Sequence, residues 1–159
     1  MLNPDFNRWL YRGHRPNWLA KILNGVWAII HATGIAPNYL ATLEVIGRKS
    51  GHVIALPVAI AIVDGERYLV SMLGDNVQWV LNVRATGGQA VLRCGKRESI
   101  HLEEVPVNLR APILKNYVKR APGARPHIPV RMDAPLAEFE KIAAGYPTFH
   151  IMPDLSANR

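Results

Sequence analysis

The sequence has little to offer covalent or metal chemistry. Cys94 is its single cysteine, so no disulfide can close within the chain, and such sparing use fits a reducing compartment. Neither His-Glu-x-x-His nor Cys-x-x-Cys occurs, and the six histidines show no ligand spacing, so no metal site is expected. Gly-x-Ser-x-Gly is absent, as are the Walker and dinucleotide-binding glycine patterns. Ser50 and His52 stand too close together to form a triad. Cys94 falls within a strand-like run and reads as a buried, inert thiol. The most apolar early stretch, residues 26–30, is far shorter than the ~20 residues a membrane span requires, and no secretory leader pattern is recognisable. No block of five or six like charges appears. These absences lead to the expectation of a cytoplasmic protein without repeats or low-complexity segments.

What is present is an apolar, basic chain. Of 159 residues 49% are hydrophobic and 19% charged, a composition for one folded domain rather than disorder. We expect a single domain over residues 1–159 with a helical segment at about 1–36. Nineteen Lys and Arg face twelve Asp and Glu, a net charge of +7, which suits an anionic partner such as nucleic acid, a membrane surface or a phosphorylated ligand. The excess lies on the flanks, because residues 52–105 carry five basic and six acidic side chains. The pairs Lys96-Arg97 and Lys119-Arg120 read as solvated surface.

The pattern of elements is mixed. Pro16 suits the first turn of a helix to about His31, with Trp18, Leu19, Ile22, Leu23, Val26, Trp27 and Ile30 on one stripe. Residues 5–12 mix Phe6, Trp9, Leu10 and Tyr11 with Arg8 and Arg12. That mixture suits a helix packed on the protein's own surface, or one lying at a membrane interface. Strands are expected at 40–46, 53–63, 67–72, 89–94, 98–105 and 148–152. Asp64-Gly65 marks a hairpin turn, and Pro57 marks an edge or bulge. Helices are expected at 76–84, 109–120 and 136–144, with an ordered but irregular loop at 121–135. Short hairpins imply antiparallel pairing, so the fold class is α+β: a small antiparallel split β-barrel with flanking helices. A six-stranded barrel is filled by its own side chains, which leaves a planar ligand to bind outside it.

Two constellations carry chemistry. The first is the turn Gly47-Arg48-Lys49-Ser50-Gly51. Glycines permit close approach of a ligand, successive N–H groups form an anion-binding concavity, and Arg48, Lys49 and Ser50 add charge and a hydroxyl. The same pattern also describes an ordinary basic hairpin turn. The second is Trp79-x-x-Asn82-x-Arg84, where positions 79 and 82 share a helical face. An indole, an amide and a nearby guanidinium suit an aromatic or phosphorylated ligand; taken alone, Trp79 reads first as a core residue.

In this order and at this separation, LEVIGRKSG (43–51), LPV (56–58), DGERYLVS (64–71) and QWVLNVRA (78–85) resemble the deazaflavin-dependent nitroreductase family. The likeness extends to Tyr146, Pro147, Thr148 and Phe149. It implies a split β-barrel of the flavin-reductase type that binds coenzyme F420, an 8-hydroxy-5-deazaflavin with a phosphodiester and an oligoglutamate tail; FMN ranks below it. By that resemblance Arg48, Lys49, Ser50 and Gly51 meet the phosphate and acidic tail, with Arg84 behind them. Pro57 lies beside the ring, Ser71, Met72, Leu73 and Gly74 form the loop that meets it, and Trp79 and Asn82 line the groove. The implied activity is that of an oxidoreductase: hydride transfer from the reduced deazaflavin to an apolar acceptor such as a quinone, enone or nitroaromatic. Tyr68, Ser71 and Tyr146 are candidates for supplying a proton. A cofactor that carries the chemistry accounts for the missing acid–base triad.

Two departures from the family pattern remove basic contacts: Met72 stands where many members carry a basic residue, and His52-Val53-Ile54 where many carry an arginine. They favour a rival reading, a non-catalytic module that binds a cofactor, haem or lipid on the same barrel. Nucleic acid is not an expected partner. A peripheral membrane contact through the N-terminal helix and a homodimer are further expectations.

Overall fold

A computed structural model of the chain describes residues 39–158. By its internal contacts the chain divides between Pro37 and Asn38. The expected helix at 16–31, and the segment 5–12 with its membrane-interface reading, lie outside the described residues.

The strands β1 (Leu40–Ile46), β2 (Val53–Val63), β3 (Glu66–Val70), β4 (Gln89–Cys94), β5 (Lys96–Glu104) and β6 (Thr148–Pro153) close into a barrel in the order β1-β2-β3-β6-β5-β4. Every neighbouring pair is antiparallel. Alternation assigns the two faces. Ala41, Leu43 and Val45 are buried along β1 while their neighbours are not, and Leu43 stands opposite both Leu56 and Leu92. Ile60, Leu69 and Phe149 continue this inward set across β2, β3 and β6, and Leu102 pairs with Ile151 across β5 and β6. These side chains are almost fully buried. At about 1.5–3 kcal/mol for each large side chain removed from water, they are the main stabilisation of the barrel.

The opposite face of β2 and β3 carries a second core. Ala61 and Val70 pack beneath α2 (Ala111–Arg120) and α3 (Leu136–Ile142), together with Ile113, Leu114, Tyr117, Val118 and Phe139. The third helix, α1 (Gln78–Ala85), packs against the barrel interior instead. Trp79 meets the inward-facing Phe149 with ring centroids 5.5 Å apart, so α1 closes one end of the barrel.

The turns follow their chemistry. Asp64 and Gly65 adopt φ of 52° and 80°, the two left-handed positions of the tight turn whose twist suits a hairpin. Gly88 must be glycine: its φ is +88°, and a Cβ there would stand 2.4 Å from the Leu102 carbonyl oxygen. Pro57 lies opposite Thr42 of β1, in the half of β2 that β3 does not reach; its missing N–H is tolerated on that open side.

Three expectations need correction. Lys96 and Arg97 belong to β5, because Gly95 alone turns the hairpin between the paired Cys94 and Lys96. Cys94 is exposed, with its Sγ 3.7 Å from the Leu40 carbonyl oxygen. It shares the inward parity of Leu92 but sits at the hairpin tip, past the end of the packed interior. The last part of the expected strand at 67–72 is a loop, since Ser71 leaves the ladder after Val70.

Candidate functional site

Antiparallel closure gathers distant segments at one barrel end. The ends of β1, β3 and β5 and the starts of β2, β4 and β6 all face that way. The turn 47–51, the loop 71–77 leading into α1, and residues 145–147 therefore meet there. With them come every site residue expected from the sequence except Pro57, farther along β2, and Tyr68, on the outer face of β3.

The two constellations are one structure. Asn82, 3% exposed, accepts the Arg48 backbone N–H at 3.1 Å and the Arg48 Nη1 at 2.9 Å through the same Oδ1. Gln78 Oε1 accepts Nη1 at 3.0 Å. The turn is further closed by Gly51 N–H to the Gly47 carbonyl at 2.8 Å, Gly47 N–H to the His52 carbonyl at 2.8 Å, and His52 N–H to Ser50 Oγ at 3.2 Å. Among the described residues this leaves the backbone N–H groups of Lys49 and Ser50, the Lys49 ammonium and the Nε and Nη2 of Arg48 without a partner. The free donor set is thus smaller than five residues suggest: two amides and two neighbouring cations, with an exposed Gly51 at φ +69°.

The loop that begins at Ser71 is held from inside. Ser71 is 2% exposed, and its hydroxyl donates to the Gly74 carbonyl at 2.6 Å. Its N–H donates to the Pro147 carbonyl at 2.9 Å. Gly74 has φ +96°, a left-handed backbone that favours glycine, while a Cβ there would make only ordinary contact, 3.6 Å, with the Gly145 carbonyl oxygen. Met72 packs on the outer core, whereas Leu73 projects to solvent.

A chain of charges ties this loop to its surroundings. Arg84 Nη2 meets Asp75 Oδ1 at 2.8 Å and Glu104 Oε1 at 2.6 Å. Glu104 Oε1 also accepts Arg110 Nη2 at 3.4 Å. Arg110 is 6% exposed, and donates to the carbonyls of Val105 at 2.9 Å, Ala143 at 3.2 Å and Tyr146 at 3.4 Å. Hydrogen bonds donated to Glu104 and Asp75 push the Arg84 pKa up; burial pulls that of Arg110 down, against the attraction of Glu104. Arg84 therefore holds the end of the barrel together, and its charge is matched by two carboxylates.

Ser71 and Tyr146 already donate to carbonyls, and Tyr68 lies on the outer face of β3. Tyr146 donates to the His127 carbonyl at 2.8 Å. Ser71 is bonded to Gly74. Tyr68 stacks on His150, centroids 5.0 Å apart, and His150 Nε2 lies 2.6 Å from Glu66 Oε2. Burial raises the pKa of Tyr68 and Tyr146, with Glu66 and Asp64 adding to the effect on Tyr68.

Sequence reasoning missed Gln78, Asp75, Glu104, Arg110 and His127. Position 78 is one helical turn before Asn82 and shares its face, so Gln78 was open to inference. The other four act through partners that only folding brings near.

No family model matches the sequence, and no curated protein matches it. Solved structures of similar fold include a domain-swapped dimer, 15% identical, TM-score 0.51, covering 80% of this chain and 98% of that one. A protein of Bacteroides thetaiotaomicron VPI-5482 linked to 5-nitroimidazole antibiotic resistance is 7% identical, with TM-score 0.53 and coverage of 82% and 79%. The conserved hypothetical protein Rv2991 of Mycobacterium tuberculosis is 16% identical, with TM-score 0.53 and 72% of each chain covered. At these identities what is shared is the fold, a six-stranded split-barrel-like architecture.

Proposed function

We propose that the chain binds coenzyme F420 across the barrel end and passes a hydride to an apolar acceptor. The observation that carries this reading is the turn 47–51, where the cations of Arg48 and Lys49 flank the free amides of Lys49 and Ser50. That donor set fits a phosphodiester and an acidic tail, since Arg, Lys and backbone N–H groups all favour anionic oxygens.

The neighbouring residues fit a flat ring. Trp79 and Asn82 fix α1, and the loop 71–74 is pinned by the Ser71 hydroxyl and by Pro147. Leu73 offers an apolar side chain, and the amides of Met72 and Leu73, without partners among the described residues, are available to a ring's polar edge. When bound, the reduced deazaflavin supplies a hydride from C5. The protein's part is then to orient and to exclude water. FMN has a comparable flat ring and phosphate and is the second ligand to test.

The acceptor in this reading is a quinone, enone or nitroaromatic. The barrel of similar fold linked to 5-nitroimidazole resistance supports the nitroaromatic member of that set. Assembly as a homodimer is proposed alongside, supported by the domain-swapped dimer of similar fold.

One observation favours the rival reading. The Ser71 and Tyr146 hydroxyls already donate to carbonyls, and Tyr68 faces away from the loop. None of these three hydroxyls is both free and directed at the ring loop, which suits a module that holds a cofactor, haem or lipid without turnover. Titration of the purified protein with F420, followed by its absorbance, separates the two. Saturable binding, with oxidation of the reduced cofactor by menadione or a nitroimidazole, supports the enzyme. Binding without oxidation supports the carrier, and no binding at high micromolar cofactor removes both F420 readings.

A further inference from the structure

The stretch from Val105 to Met132 contains six basic residues and no acidic one. Arg110 is buried and paired with Glu104. Arg131 is matched by Asp133 at 3.1 Å. Lys115, Lys119, Arg120 and Arg125 remain, and none of the four meets a carboxylate among the described residues. They are close in space. Lys115 and Lys119 are one turn apart on α2, away from the buried Leu114, Tyr117 and Val118. Arg125 folds back onto the end of α2, donating Nε to the Val118 carbonyl at 3.1 Å and Nη2 to that of Lys119 at 3.3 Å. Arg120 Nε is buried without any partner. Like charges one turn apart repel, and among the described residues none of the four is ion-paired: Asp133, which lines the neighbouring cavity with Arg125, is taken by Arg131.

Beside this cluster is an open surface cavity of about 370 Å³ whose apolar wall is Val118, Ile128, Val130 and Met132. Met132 is 44% exposed and Leu136, a few residues on, 40%. The surface therefore alternates uncompensated cations with accessible apolar side chains. Tyr117 is the single Phe, Tyr or Trp from 105 to 138 and is buried, so apart from the exposed His127 ring the patch lacks the series of aromatic side chains on which successive nucleic-acid bases stack.

We propose that the end of α2 and the loop 121–132 form a docking surface for an anionic lipid membrane. Lys115, Lys119, Arg120 and Arg125 face the acidic headgroups, and Met132 and the cavity wall take the apolar edge of the interface. This surface differs from the N-terminal segment expected from the sequence and is independent of the cofactor reading, so either stands if the other fails. Tyr146, bonded to the His127 carbonyl of the same loop, places the patch next to the candidate site.

Co-sedimentation of the full chain with vesicles of phosphatidylcholine, with or without one third phosphatidylglycerol, tests the proposal. The wild type is expected on the anionic vesicles alone, with binding lost as salt rises. Each cation removed should weaken binding about fivefold, so Lys115→Gln/Lys119→Gln should weaken it at least about tenfold. Lys96→Glu, at the tip of the β4–β5 hairpin, changes net charge equally and should leave binding near wild type. Unchanged thermal melting confirms that both variants fold. Four results would overturn the proposal: no wild-type binding at low salt, binding retained by the double variant, an equal loss in Lys96→Glu, or tighter binding to a single-stranded oligonucleotide than to the vesicles.

Discussion

One atom, Oδ1 of Asn82, receives both the backbone N–H and the guanidinium of Arg48, at 3.1 and 2.9 Å. The contact joins α1 to a turn 34 residues earlier, and it sets the direction of the arginine that the functional reading depends on. Replacement by Ala leaves a buried hole and two donors seeking water, a loss of about 1–3 kcal/mol. Asn82→Ala should lower the denaturation midpoint and weaken F420 binding, whereas Asn82→Asp, which keeps an acceptor and adds charge, should retain most of both. Equal behaviour of the two variants would contradict this role.

Lys49 has no protein partner among the described residues and is exposed, so its removal should leave stability within about 0.5 kcal/mol. Lys49→Ala should nevertheless weaken cofactor binding, and the difference from wild type should shrink as salt screens the pair. An unchanged dissociation constant at low salt would remove the lysine from the site.

Glu104 stands between Arg84 and Arg110. Glu104→Gln would leave the buried Arg110 without its carboxylate, and the partly exposed setting suggests a cost of about 1–3 kcal/mol. Because Asp75 and the Tyr146 carbonyl hang on the same two arginines, amide hydrogen exchange should quicken around residues 71–75 and 143–147 more than in β1. Uniform acceleration across the barrel would indicate plain destabilisation.

Gly88→Ala meets both a left-handed backbone and the Leu102 carbonyl oxygen. A loss of at least about 1–3 kcal/mol is expected, read as a lowered thermal midpoint. Gly123→Ala, with nothing within 4 Å of its added Cβ and no positive φ, should be near neutral.

Tyr117 is buried and its hydroxyl is pushed well above the usual tyrosine range by desolvation. The unfolded chain ionises this group near its ordinary value of about 10 while the folded chain keeps its proton. Its contribution is therefore complete below that pH and is lost as pH rises toward the folded value. Alkaline denaturation should be later in Tyr117→Phe than in wild type, and identical alkaline limbs would refute the assignment.

The sequence by itself determined most of the architecture, because periodicity and turn chemistry are local. The alternation in β1, the Asp64-Gly65 turn and the amphipathic α2 each follow from adjacent residues, and the chain of hairpins implies antiparallel pairing. It also made the basic turn and Asn82 visible as residue types at a spacing. The tertiary structure decided their state. Arg48 is half occupied by Asn82 and Gln78, Arg84 is matched by Asp75 and Glu104, and the Ser71 and Tyr146 hydroxyls are engaged by carbonyls. Each of these partners, except Gly74 for Ser71, lies 9 to 34 positions away. A spacing rule reaches one helical turn or one hairpin, but hydrogen bonds and ion pairs act over about 3 Å in space. Which charges remain free for a ligand is settled only once the barrel has closed.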